Sequence, residues 1–283
     1  MNLDALLAHK FEAKTVTYDE RDTMLYALSL GAGSSPHEEV DLNFVYEKNL
    51  LALPTISAAL AHPGAWMTDP KFDINLVKLL HVEQRTRFYQ AIAPSGTIKA
   101  EYRVSAIVDK GAAKGALMYF DKDLYNAINN ELLCTVKSCY LLRDDGGCGE
   151  FGTPPAPLAP TPSGTPDYVD EHKIDDRAAL FYRLNGDRNP LHIDPAIAQK
   201  AGFAKPIIHG LCVYGICGLT LTRQILNADV SRMASLALRF SAPAYPGETL
   251  LIEAWQLEGG ITFRATAKER NQVVINNGFI DLN

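Results

Sequence analysis

No apolar run in this chain approaches the roughly 18 residues that a membrane-spanning helix needs. The opening MNLDALLAHKFEAK has no basic stretch leading into an apolar one, so no secretory signal is expected either. Material for a disulfide framework is also short. Cys134, Cys139, Cys148, Cys212 and Cys217 form an odd set without CxxC or CxxH spacing, which suits small packing residues in a reducing compartment. Basic charge is scarce: 27 Lys and Arg against 33 Asp and Glu give a net charge of -6, which leaves no nucleic-acid footprint. An anionic ligand would need a local basic patch. The closing IDLN lacks the tripeptide that directs import into peroxisomes. A soluble, cytoplasmic protein is the expectation.

What is present is an ordinary globular composition, 47% hydrophobic and 21% charged, over 283 residues, enough for two domains rather than a disordered chain. Proline supplies the division. Between Asp144 and Asp167, Pro154, Pro155, Pro157, Pro160, Pro162 and Pro166 forbid regular helix or central strand and make an extended, semi-rigid tether. The expected units are 1–145, a linker at 146–166, and 167–283.

The two units share an internal repeat. YALSLGAGSSP from Tyr26 is echoed by YRLNGDRNP from Tyr182, and RFYQAIAPSGT at 87–97 by RFSAPAYPGET at 239–249. After each second echo come alternating, β-branched segments: TIKAEYRVSAIVDKG and GALMYFDKDLY in the first unit, and three strands broken at Gly259, Gly260 and Asn271 in the second. Ahead of them lies a helix, PTISAALAH from Pro54 and HGLCVYGICGLTLTRQIL from His209, the latter apolar nearly all round and so buried. The pattern is α+β, an antiparallel sheet wrapped around a central helix, twice.

Chemistry concentrates in YRLNGDRNPLH, residues 182–192. Gly186 and Pro190 mark a turn, from which Asp187, Asn189 and His192 leave together. A carboxylate and an imidazole held close can divide acid and base roles, with Asn189 orienting one of them or a water. The first unit's counterpart, GAGSSPHEE, has neither the Asp nor the Asn, so any chemistry there has been lost. Gly210 opens the long helix, where free amides and the macrodipole could polarise a thioester oxygen. A plainer account stands beside this one. Asp187 would be a turn residue, Asn189 a local cap, His192 an exposed loop histidine and Gly210 a packing glycine. Metal binding is set aside because His192 and His209 lie far apart in sequence and no third ligand falls at metal spacing.

YRLNGDRNPLHIDPAIAQKAGFAKPIIHGLCVYG resembles the signature of the MaoC-like (R)-specific 2-enoyl-CoA hydratases, or hydratase 2. VYEKNLLALPT, LLHVEQ and VDKG extend the resemblance to the eukaryotic type over residues 10–283. The resemblance implies a double hot-dog fold whose degenerate first half makes room for bulky acyl chains. It implies Asp187 and His192 as the acid–base pair, Asn189 as their orienting carboxamide and Gly210 as oxyanion donor. It implies His81, Val82, Lys110 and Phe240 as contacts to the acyl-CoA, Val82 standing where related sequences often carry Gly. Without it, Lys110 reads as solvated surface, Phe240 as core and His81 as a packed histidine.

The implied reaction is syn hydration of a trans-2-enoyl-CoA to the (3R)-3-hydroxyacyl-CoA, with no cofactor or metal. The implied partner is the acyl-CoA alone, without nucleic acid or membrane, in a possible homodimer, and in the peroxisome if the chain is part of a multifunctional enzyme. A hot-dog thioesterase and a non-catalytic acyl-CoA-binding module are the alternatives.

Overall fold

The computed structural model describes residues 1–34 and 39–283. The expected loss of chemistry from GAGSSPHEE therefore falls partly, at residues 35–38, outside the described residues.

The strands are β1 (Lys14–Tyr18), β2 (Leu79–Phe88), β3 (Gly96–Asp109), β4 (Ala116–Asn126), β5 (Leu132–Leu142), β6 (Phe151–Gly152), β7 (Tyr168–Lys173), β8 (Ser235–Phe240), β9 (Thr249–Leu257), β10 (Gly260–Ala267) and β11 (Gln272–Asp281). They form one sheet in the order β1-β3-β4-β5-β2-β8-β11-β10-β9-β7, with β6 on β3. The two halves of that order mirror each other. β1, β3, β4, β5 and β2 answer β7, β9, β10, β11 and β8, and the halves join edge to edge through the antiparallel β2–β8 pair, Glu83 opposite Arg239 and Arg87 opposite Ser235. Joining there removes two edges that would otherwise be open to stray pairing.

The sheet encloses the helix Gly210–Gln224, in which every residue from Cys212 to Thr222 is buried. Its sequence is short of charge on every face, as a helix wrapped by a sheet must be. The Tyr214 hydroxyl donates to Thr86 Oγ1 on β2 at 2.9 Å, tying the second half's helix to the first half's strand. This is the double hot-dog arrangement.

The helix expected from Pro54 differs. It is a single turn, Ile56–Ala59. The chain then reverses at Ala61, whose φ is +50°, and the carbonyls that a longer helix would use are taken by side chains of the sheet. Lys122 Nζ donates to the Ala58 and Leu60 carbonyls, Tyr102 Oη to Ala61 and Lys14 Nζ to His62. The buried Lys122 ammonium acts as a C-terminal cap, a cation where the macrodipole is negative.

The proline-rich segment lies along the sheet face opposite the helix. Phe151–Gly152 pairs with β3, Arg85 of β2 donates to the Ala156 carbonyl, Thr161 meets Asn276 of β11, and Trp255 Nε1 of β9 donates to Gly164. Its missing amides are no loss on this course, because the contacts use its carbonyls and side chains.

Candidate active site

The loop carrying Asp187 is shaped by its own sequence. The helix Ala178–Tyr182 tightens into a 3₁₀ turn, Arg183–Asn185, and ends at Gly186, whose φ of +119° is open to glycine and strained for other residues. Asp187 Oδ1 accepts from the Asn189 N–H at 3.1 Å, and Asn189 Oδ1 accepts from the Leu191 N–H at 3.0 Å. Pro190 then opens a second 3₁₀ turn, Pro190–His192, and Asp194 caps the helix Pro195–Lys200. Asn189 is exposed and its oxygen caps the turn. Asn185 Nδ2 ties the loop to the first half by donating to Ser29 Oγ.

His192 is buried, and its Nδ1 lies 2.9 Å from the Ile207 carbonyl. A carbonyl only accepts, so Nδ1 carries the proton and Nε2 keeps the lone pair in the neutral ring. His209, 1% exposed, places Nε2 3.2 Å from the Asp187 carbonyl, which assigns the donor role to that nitrogen. Its Nδ1 is buried without a hydrogen-bond partner among the described residues. The two imidazoles stack, centroids 3.8 Å apart and planes 29° apart. One ring nitrogen from each and an Asp187 carboxylate oxygen lie within 4.8 Å of one another. The grounds on which metal binding was set aside, two histidines far apart in sequence and no third ligand, are thus corrected: the fold brings both rings and Asp187 together. The helix Pro195–Lys200 and the loop after it carry the chain from His192 back to the start of the central helix.

Burial keeps these rings uncharged. It lowers the pKa of His192. It takes His209 down to about 4, the neighbouring His192 adding to the effect.

Gly210 is the first residue of the central helix. The Cys212 and Val213 amides both return to the His209 carbonyl, so the Gly210 and Leu211 amides precede the first internal bond. Phe240 packs on Gly210, a hypothetical Cβ there lying 3.3 Å from its Cε1. The Phe240 ring also touches His81, centroids 4.9 Å apart, and His81 meets Tyr140 at the same separation. Burial holds the His81 pKa down to about 4, against the opposing pull of the Asp187 charge. Asp187, His192, His209, Gly210, Phe240 and His81 therefore converge.

Val82 is the unpaired residue of a bulge in β2, between the pairs His81–Tyr140 and Glu83–Cys139. Its side chain packs with Ala106, Tyr119 and Cys139. Lys110 sits exposed in the β3–β4 hairpin. The row His81–Tyr140–Met118–Ile107 puts β3 three strands from His81, roughly 14 Å at about 4.8 Å per strand.

In the sequence His209 stands out only as a discounted ligand and His62 not at all, although its Cβ lies 3.8 Å from a hypothetical Cβ on Gly186. The signal for His209 was its place directly before Gly210. For His62, whose position depends on the reversal at Ala61, there was none.

Residues 16–144 match the MFE-2 hydratase 2 N-terminal domain and residues 157–278 the MaoC like domain. The peroxisomal multifunctional enzyme type 2 of Mus musculus is 36% identical over 98% of this chain, which spans only 38% of that enzyme's length. The peroxisomal enoyl-CoA hydratase 2 of Arabidopsis thaliana is 33% identical over 99% of this chain and 95% of its own length. A MaoC-like dehydratase from Phytophthora capsici superposes with a TM-score of 0.88 at 33% identity, covering 100% of this chain and 99% of that one.

Proposed function

Because the chain belongs to the MaoC-like hydratase 2 family, a hydro-lyase family, we propose that it hydrates trans-2-enoyl-CoA to (3R)-3-hydroxyacyl-CoA in fatty acid metabolism. One observation carries the reading. A neutral His192, oriented through Nδ1, stands with the Asp187 carboxylate at the N-terminus of a helix whose first amides are free of internal bonds.

In this reading the thioester oxygen rests on the Gly210 N–H, where the helix field favours negative charge as C3 becomes electrophilic. A water between Asp187 and His192 attacks C3. One of the pair takes its proton while a proton is delivered to C2 on the same face, giving syn addition. Asn189 contributes by fixing the turn that aims Asp187 and His192. His81 and Phe240 form the wall beside the reacting end, and the resemblance offers Lys110, exposed in the β3–β4 hairpin, for the anionic end of CoA. The first half's helix, cut to one turn, supports the reading that this half accommodates the acyl chain.

No metal enters this reading. Relatives named peroxisomal favour that compartment over the cytoplasmic one expected from the sequence. A homodimer remains an expectation, testable by sedimentation.

The test is loss of enoyl absorbance with trans-2-decenoyl-CoA, the product resolved on a chiral column. The expected result is 3R product from the wild type and its loss in folded Asp187→Asn and His192→Ala proteins. Thiol release without hydration would instead identify a thioesterase, and tight binding without turnover a binding module.

A further inference from the structure

His209 occupies the N-cap of the central helix, a position that favours Ser, Thr, Asp or Asn, yet its side chain caps no amide. A capping oxygen there would compete with a substrate oxygen for the amides of the first turn. The imidazole instead turns back to the catalytic loop: Nε2 meets the Asp187 carbonyl at 3.2 Å, and the ring lies on His192 at 3.8 Å between centroids.

We propose that His209 is a positioning residue for the hydration, its N–H anchoring the Asp187 backbone and its ring face seating His192, so that the acid–base pair and the Gly210 amide move as one unit. This rests on the hydratase reading. Three links fix the unit. Gly210 follows His209 directly in the chain, Asp187 is hydrogen-bonded to it, and His192 is packed on it. A displacement of about 1 Å among such groups costs on the order of 10²-fold in rate, so a ring joining all three acts on turnover without touching substrate.

The stack also separates charge. Facing His209 are His192, the Asp187 carboxylate, the Tyr182 ring at 5.0 Å and the Arg183 guanidinium. The two cations in that set, Arg183 and a protonated His192, both oppose protonation of His209, and burial opposes it most. His192 can therefore take up and return a proton beside a neighbour that stays neutral.

Two substitutions separate the contacts. His209→Gln keeps an N–H able to reach the Asp187 carbonyl and removes the ring face. His209→Phe keeps the face and removes the N–H. Both are expected to lower kcat roughly tenfold or more, up to the order of 10² that a misplacement of about 1 Å costs, with KM little changed. Titration of His192 by ¹⁵N NMR gives a readout independent of turnover. In His209→Gln the uncovered ring should titrate closer to the ordinary histidine value, and in His209→Phe it should remain depressed. Wild-type kcat in both variants, or an unmoved His192 titration in folded His209→Gln, would overturn the proposal. If the wild type hydrates nothing while the titration shifts as expected, the packing role stands and the hydratase reading falls. Thermal melts check folding, and His209→Tyr presents the same face should the Phe variant fail to fold.

Discussion

Phe240 closes over Gly210 so tightly that a methyl group on the glycine would stand 3.3 Å from the ring's Cε1 and 3.5 Å from Cζ. The ring is itself held by His81, so it has little freedom to retreat. Gly210→Ala should therefore push the first turn of the central helix away from Phe240 rather than unfold it. The expected outcome is a fall in kcat of about 10²-fold from the displaced amide, with a melting temperature close to wild type. Phe240→Leu in the same chain should restore part of the rate, and steady-state kinetics on the double variant checks this.

That contact marks the limit of what the sequence discloses. Asp187, Asn189 and His192 are legible because their grouping is local, within six residues of one turn. His81 and Phe240 come together only through the β2–β8 join, where two edge strands become neighbours, and without the family resemblance nothing in either segment announces it. The apolar run from Pro54 reads as a helix by its residues, yet it stops after one turn because Lys122, Tyr102 and Lys14, all distant in sequence, take its carbonyls. Asn189 behaves as the plainer account expected, a local cap, while His192 does not, being buried and directed.

Lys122 gives a second prediction. Its ammonium is buried, its pKa lowered by burial to about 8, and it answers the Ala58 and Leu60 carbonyls. Lys122→Met fills the same volume and leaves both carbonyls without that donor, at a cost of about 1–3 kcal/mol. Urea unfolding at pH 7 should show the lowered midpoint. Decenoyl-CoA turnover should fall as well, because the segment released, residues 58–62, reaches His62 beside Gly186 of the catalytic loop.

Arg223, at the C-terminal end of the central helix, makes a bidentate pair with Asp41 of the first half, whose Oδ2 also accepts from the Gly33 N–H. Asp41 is 1% exposed. Arg223→Met should cost about 3–5 kcal/mol, because it leaves a buried carboxylate without its partner. Adding Asp41→Leu should recover most of that loss, which a double-mutant cycle by chemical denaturation measures. An unrecovered double variant would show that the pair's value lies in holding the Gly33 turn rather than in cancelling charge.

Acid should weaken the fold over a defined window. His81, His172 and His209 are each held by burial at a pKa of about 4, against 6.5 for the ordinary histidine. Above pH 6.5 neither the folded nor the unfolded chain protonates them, and they leave stability unchanged. Below 6.5 the unfolded chain binds protons that the folded chain refuses, so stability falls with pH until about 4, where the folded rings protonate too. The melting temperature should therefore decline between pH 6.5 and 4, before most exposed carboxylates titrate. His172 lies on β7, paired with Leu250 of β9 and away from the catalytic loop, with Arg223 adding to its depression. His172→Phe should remove its share of the decline while leaving the pH dependence of hydration in place. A melting curve as steep in His172→Phe as in the wild type would assign the acid sensitivity to the histidines at the active site.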